Sequence, residues 1–406
     1  MANRCRLHTM IVNQSPKSWP EDRRRAAGIR YASWPLLVPH HLISTHKILP
    51  PITTGLVNDM NLDVTKIKVV QSLVHERILT TCAFSPCGKF LVAGGQTESL
   101  VRWDLETQAK TTLAGHQSWI GAIAFQAEPK RLFSADFIGS IRAWSYDQPQ
   151  PETLWALPEA HRGWVRALLV APDGNLISTG NDRAIRIWSA EKGQLVRQID
   201  REGGYIFSLT FHPDGKSFVS GDLMGQVQQW EYASGKLLRT LDAKPLHSRG
   251  DDFLADVGGV RSLAFDRSGK LLACGGMTDA KSNTFCPGDP AVLVFDWSSG
   301  QLQRTLRTKH KSDGPVNALV FLPDGTLAGH AEHLNGASSL EFWQPDNVTP
   351  LHMMQRESGY CLSLHPSGQQ LAAATFKNFG RGGNGRHSTP AEYTPHQGEV
   401  SILQLN

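Results

Sequence analysis

From about residue 65 onward the chain is built of short apolar and β-branched runs separated by polar turn clusters, and the stretch between His161 and Trp188 shows the unit. WVRALLV (164–170) leads into Pro172, Asp173 and Gly174; NLISTG (175–180) follows, and after a polar turn come AIRIW (184–188) and QLVRQI (194–199). Runs of this length and composition predict four antiparallel strands, with the Pro-Asp-Gly step as a hairpin turn. Such a sheet cannot bury both faces alone, so copies must stack against one another.

The copies are present. Tryptophans recur at 103, 144, 188, 230, 297 and 343, in LVRWD, IRAW, IRIW, VQQW, VFDW and LEFW. Turn signals precede them: SPCGK (85–89), APDGN (171–175), HPDGK (212–216), DRSGK (266–270), LPDGT (322–326) and HPSGQ (365–369), with QAEPK (126–130) as a degenerate member. Seven units result, most with a period of 41 to 45 residues, which is the range of four-stranded propeller blades.

Trp103-Asp104, Gly115-His116 and the period together resemble the WD-repeat β-propeller family over residues 65–405. The resemblance implies an all-β, seven-bladed propeller of four-stranded antiparallel blades. Residues 60–406 would form it, and 1–59 would be a disordered or artefactual N-terminal extension. The last run, EVSILQL, aligns with a third strand, whereas IKVVQSLVH (67–75) resembles the outer strand GQLQRTLRTKH (300–310). Residues 65–73 are therefore expected to complete the seventh sheet and close the ring, removing an exposed edge.

His161, Ser178 and Asp182 also raise the question of a hydrolase. In the family a histidine before the first strand, a Ser/Thr on the second, an Asp in the following turn and a Trp on the third form a hydrogen-bonded chain, and His161, Ser178, Asp182 and Trp188 match all four places. The second unit keeps His116, Ser134 and Trp144, with Asp136 two residues early. The first keeps His75 and Trp103 with Ala93 at the serine place, and the fourth keeps Ser220 and Trp230 without the histidine. A part repeated with variable completeness is a structural element, and no G-x-S-x-G elbow is present. The chain is read as a non-enzyme.

Function is expected where connections exceed what the scaffold needs. From turn glycine to third-strand position the regular units take 15, 14 and 15 residues, the fifth 28, the sixth 18 and the seventh 35. A further excursion precedes the fifth unit. All of these emerge on one face, over blades five to seven. Their segments 244–259, 277–291, 330–338 and 376–399 carry Arg249, Phe253, Lys281, Phe285, Phe376, Lys377, Phe379, Arg381, Arg386 and Tyr393, the aromatic and basic types that anchor interfaces. These are the candidate contacts of a protein or peptide partner. The alternative is a propeller hydrolase or lyase at the channel mouth, with Asp251, Asp252, His330 and His333 as candidates. HAEH (330–333) lacks the H-E-x-x-H spacing of a zinc site, and GRGGNG (380–385) lacks the strand-loop-helix context of a phosphate loop.

Bulk properties narrow the rest. Residues 1–59 hold eight Lys/Arg against three acids, so the total of +4 leaves the main body at −1, which speaks against a polyanion binder. Nucleic acid and small-molecule substrates are not expected. The arginine-rich front admits three readings: a transit peptide, a basic tail, or untranslated text upstream of a start at Met60. Six scattered cysteines without a CxxC pair fit free thiols in a reducing compartment, and a cytoplasmic location is expected. No cofactor, catalytic group or metal ligand is assigned, and no membrane span is expected.

Overall fold

The computed structural model describes residues 62–250, 255–281, 288–309, 314–332, 338–356, 358–377, 385–387, 393–395 and 397–406. Seven four-stranded antiparallel sheets form a seven-bladed propeller. Blades one to six follow in chain order between Leu79 and Arg356; blade three, for example, consists of Val165–Val170, Leu176–Gly180, Ile185–Trp188 and Leu195–Ile199. The glycines of the turn signals (Gly88, Gly174, Gly215, Gly269, Gly325 and Gly368) sit at φ between 70° and 88°, where a Cβ is strained, and so the repeat spells the same turn each time.

Blade seven comes from both ends of the chain. Its strands are Ser358–Leu364, Gln370–Lys377, Gln397–Gln404 and Lys68–His75, the last pairing with the third in the register Leu73↔Val400 and His75↔Gly398. The closing strand was expected over 65–73; it starts at Lys68 because Val64–Lys66 forms a 3-10 turn capped by Asp63. That turn is tied to the C-terminus, since Asp63 N donates to Asn406 O at 2.6 Å and Asn406 Nδ2 to Lys66 O at 2.8 Å.

Burial follows from the stacking. Second strands such as Phe90–Gly95 and Leu176–Gly180 are buried at every position, whereas outer strands such as Leu237–Asp242 alternate. Each pair of neighbouring blades shares an apolar cluster: Phe90, Val92 and Leu100 of blade one meet Ile120, Leu132 and Trp144 of blade two. The pair that closes the ring joins Leu73, Ala372 and Val400 to Leu79, Leu91 and Trp103. Burying Leu73 alone is worth about 1.5–3 kcal/mol.

One register differs from the repeat alignment. In blade five Phe295, not Trp297, pairs with Leu272, as Trp230 pairs with Phe218 and Trp188 with Leu176. Trp297 lies past the end of Asp289–Asp296, and stacks on His212 of blade four at 5.4 Å.

Candidate functional site: the mouth of the central channel

The histidine, serine and aspartate of blade three are a buried chain. Trp188 Nε1 donates to Ser178 Oγ at 2.7 Å, so the hydroxyl hydrogen goes to His161 Nε2 at 2.6 Å, and the Nδ1 hydrogen of His161 goes to Asp182 Oδ1 at 2.8 Å. Burial pushes the His161 imidazole down, keeping it neutral despite Asp182. Burial would raise Asp182, but His161 and Arg186 outweigh it and hold the carboxyl well below its ordinary range. Ser178 has no exposed surface, and no substrate can reach it.

Blade two carries the same device and blade four its two ends. Asp136, two residues early in sequence, still reaches His116 Nδ1 at 2.8 Å, while His116 Nε2 and Trp144 Nε1 meet on Ser134 Oγ at 2.7 and 2.8 Å. In blade four Trp230 Nε1 donates to Ser220 Oγ at 2.9 Å, and as a separate pair Arg201 replaces the histidine as the donor to the aspartate, meeting Asp222 Oδ2 at 2.5 Å. The apparent decay along the sequence thus reduces to two wirings, one shared by blades two and three and one in blade four. Blades one, five, six and seven place Ala93, Cys274, Gly329 and Ala373 at the serine position.

The pinned turns face the channel. Asp136 Oδ1 accepts from the backbone of Ile138, Gly139 and Ser140, and Asp222 Oδ1 from that of Met224 and Gln226. Each turn is also stitched to the chain entering its first strand: Phe137 N donates to Trp119 O, Asn181 N to Trp164 O and Leu223 N to Tyr205 O, all at 2.9 Å. At Gly139 a Cβ would stand 2.0 Å from His161 O, which is why glycine is needed there. The result is a fixed aromatic array. Trp119 is 41% exposed, Tyr205 43% and Ile138 51%, and Phe137 stacks on Trp164 with centroids 4.2 Å apart.

Inside this array the channel opens into a cavity of about 600 Å³ to which all seven blades contribute. Each offers one residue from the start of its first strand: Thr80, Gly121, Arg166, Phe207, Arg261, Asn317 and Tyr360. In six blades that residue sits at a register shift between the first two strands, a bulge that turns its side chain from the ladder toward the axis. The Arg166 guanidinium lies 4.1 Å from the Trp164 ring centre and 5.2 Å from that of Phe207, and Arg261 lies 4.4 Å from Phe207. Burial, with the charge of Arg261, lowers Arg166 to about 10. Glu332 accepts from Asn317 Nδ2 at 2.9 Å, and burial raises its carboxyl against the pull of Asn317 and Arg261.

The residues singled out from the long connections are placed differently. Arg249 is on the short pair His247–Arg249 and Asp256–Gly258, donating to Asp256 at 3.0 Å, and Lys281 is exposed. Phe376 is 8% exposed and stacks on Tyr360 at 5.5 Å, so it is a support for the mouth and not a presented anchor. Lys377 ends a blade-seven strand, and Arg386 and Tyr393 lie on the paired strands Gly385–His387 and Tyr393–Pro395. Phe253, Phe285, Phe379, Arg381, Asp251, Asp252 and His333 lie outside the described residues, as does 380–384 of GRGGNG. His330 is buried, its Nδ1 at 2.9 Å from Gly359 O. Among the described residues no group of three or more His, Cys, Asp or Glu is placed to hold a metal, and no helix is long and apolar enough to cross a membrane. The alignment missed the aromatic positions, though a signal was there: Trp119 and Trp164 each follow their motif histidine by three residues.

The sequence profile of the WD domain, G-beta repeat, matches residues 67–104 and 152–189. A guanine nucleotide-binding protein subunit beta of Oryza sativa subsp. japonica is 26% identical over 62% of this chain and 66% of its own length. Nuclear distribution protein nudF of Aspergillus niger is 28% identical over 41% and 38%, and transcription initiation factor TFIID subunit 5 of Caenorhabditis elegans 24% over 46% and 28%. The chain thus spans less than two thirds of the length of these relatives. With seven blades, the recurrent tryptophans and two buried Asp-His-Ser-Trp chains, it belongs to the WD-repeat β-propeller family.

Proposed function

We propose that this chain is a non-catalytic scaffold that holds a protein or peptide partner on the face where the channel opens. The observation that carries the reading is the exposed array of Trp119, Ile138 and Tyr205 around a cavity with stacked Trp164 and Arg166. Aromatic and arginine side chains on a rigid support are the usual anchors of an interface, because little conformational entropy is lost when they are covered. Two of the relatives are named as subunits, one of a guanine nucleotide-binding protein and one of a transcription initiation factor, which supports assembly with other proteins. Met277 and Glu332, at the described ends of the blade-five and blade-six connections, line the same cavity, and in this reading the long connections of blades five to seven extend the contact beyond the aromatic array.

Affinity capture with the full chain tests this. A Trp119→Ala/Tyr205→Ala variant is expected to lose a companion that the native chain retains, and a Phe379→Ala/Arg381→Ala variant to retain it more weakly. Undiminished capture by both variants, with loss on substituting the opposite turns at Lys89 and Asp214, overturns the assignment of the face.

A further inference from the structure

The cavity-lining residues at the first-strand starts of blades three, four and five are Arg166 and Phe207, at register shifts, and Arg261, just ahead of an unshifted strand; they are consecutive around the ring and in contact through the Phe207 ring. Their surroundings are unequal. Arg261 feels the buried carboxylate of Glu332, which Asn317 holds in place. Arg166 has a neutral partner: its Nε donates to Asn181 Oδ1 at 2.9 Å. Among the described residues no carboxylate forms an ion pair with it and no hydrogen bond engages its terminal nitrogens. Its guanidinium is itself held between the Trp164 and Phe207 rings, which fixes the plane of the fork where it lines the cavity. A cation beside a second cation and without a carboxylate of its own, Arg166 is in an arrangement that an incoming anion relieves.

We propose that Arg166 receives the carboxylate of an aspartate or glutamate side chain of the bound partner, with Phe207 and Trp164 flanking the methylene stem and Arg261 adding long-range attraction. The inference rests on the partner-binding reading above. A planar fork binds a carboxylate with two parallel hydrogen bonds. Arg166 is the arginine without a carboxylate partner among the described residues, and a single free fork matches a monoanion; a phosphate dianion would meet Glu332 across the cavity. The cavity, about 600 Å³, is of the size that encloses a side chain or small ligand.

A random peptide library displayed between fusion flanks, so that no free C-terminus is offered, is selected on the full chain and on Arg166→Gln. Expected are native-selected peptides with Asp or Glu at one fixed position. Changing that residue to its amide should weaken a synthetic, end-blocked copy about tenfold to a hundredfold, and the Arg166→Gln selection should lose the acidic preference. Arg166→Lys, which keeps the charge but not the fork, should recover only part of the affinity. Unchanged thermal melting of both variants separates this from misfolding, and Trp119→Ala should weaken binding while leaving the acidic preference intact. Peptides that bind without an acidic preference, or a preference that survives in Arg166→Gln, overturn the carboxylate site and leave the scaffold reading standing. A preference for phosphopeptides or free C-termini over the blocked acidic peptide overturns it too. Failure to select any peptide on the native chain removes both.

Discussion

The channel-mouth face has two unlike arcs. Across blades two to four the turn after the second strand is short, a serine sits beneath the third-strand tryptophan, and the residue entering the first strand is Trp119, Trp164 or Tyr205. Across blades five and six the serine position holds Cys274 or Gly329, and the entering residue is Gly259 or Pro315. The second arc uses the backbone where the first uses side chains. In blade five the two central strands run on for eight residues each, adding the pairs Met277↔Pro290 and Thr278↔Asp289, and blade seven does the same to Lys377↔Gln397. A turn pinned by a buried polar chain cannot lengthen without orphaning its groups. Where that chain is absent, an extended ladder carries the insertion instead. Fixed display and added length are therefore segregated around one ring.

The comparison can be broken most severely at the seam of the second arc. Deleting residues 60–73 removes Leu73 and most of the strand that covers the blade-seven edge. We expect loss of soluble folded protein, whereas deletion of 1–59 leaves yield and melting close to native; equal yields would contradict the closure. Ser178→Ala is next, because it strands both His161 Nε2 and Trp188 Nε1 in a buried site. Denaturant unfolding should show a loss of about 2–4 kcal/mol. The matched change on the other arc, Cys274→Ala, should cost only about 1 kcal/mol, and similar losses at both sites would erase the distinction.

Acid separates the arcs by sign. His161 is depressed in the folded state, so its contribution is complete above its ordinary value of 6.5 and fades as pH falls below that and the unfolded chain takes up the proton. Asp136 and Asp182 are also depressed; their contribution is present above the model-peptide value of 3.8 and is lost as pH falls through the folded value. Glu332 and Glu341 are raised by burial, so they favour the fold below 4.5 and oppose it as pH rises. Stability measured from pH 7 to 5 should fall less steeply in His161→Gln than in the native chain. At pH 7 Glu332→Gln should stabilise. The opposite sign in either variant would contradict the assignment. The smallest effect belongs to Trp119→Ala, which should move stability by no more than about 0.5 kcal/mol while reducing partner capture.

Much of this was legible in the chain. The turn glycines and tryptophans count the blades, and the likeness of 67–75 to an outer strand points to the closure. The chemistry of the mouth was harder to see because a bulge consumes one residue, so strict alternation hides Arg166, Phe207 and Tyr360 among strand residues that belong to the core. Fixed spacing also failed for the aspartates. Asp182 stands four residues after its serine and Asp136 and Asp222 two, yet all three reach the same place, since the turn geometry and not the residue count sets where the carboxylate points. Arg201 was invisible as a histidine substitute for the same reason: the site asks for a donor to Asp222 and not for an imidazole. The length surplus of blade five was tied to Trp297, whereas the ladder ends its count at Phe295.

The most direct test is amide hydrogen exchange on the native chain with and without its captured companion. The account predicts new protection at 119–121, 137–140, 162–166 and 205–207, around the aromatic array. Protection confined to the opposite turns, at 85–89, 171–175 and 212–216, would contradict it.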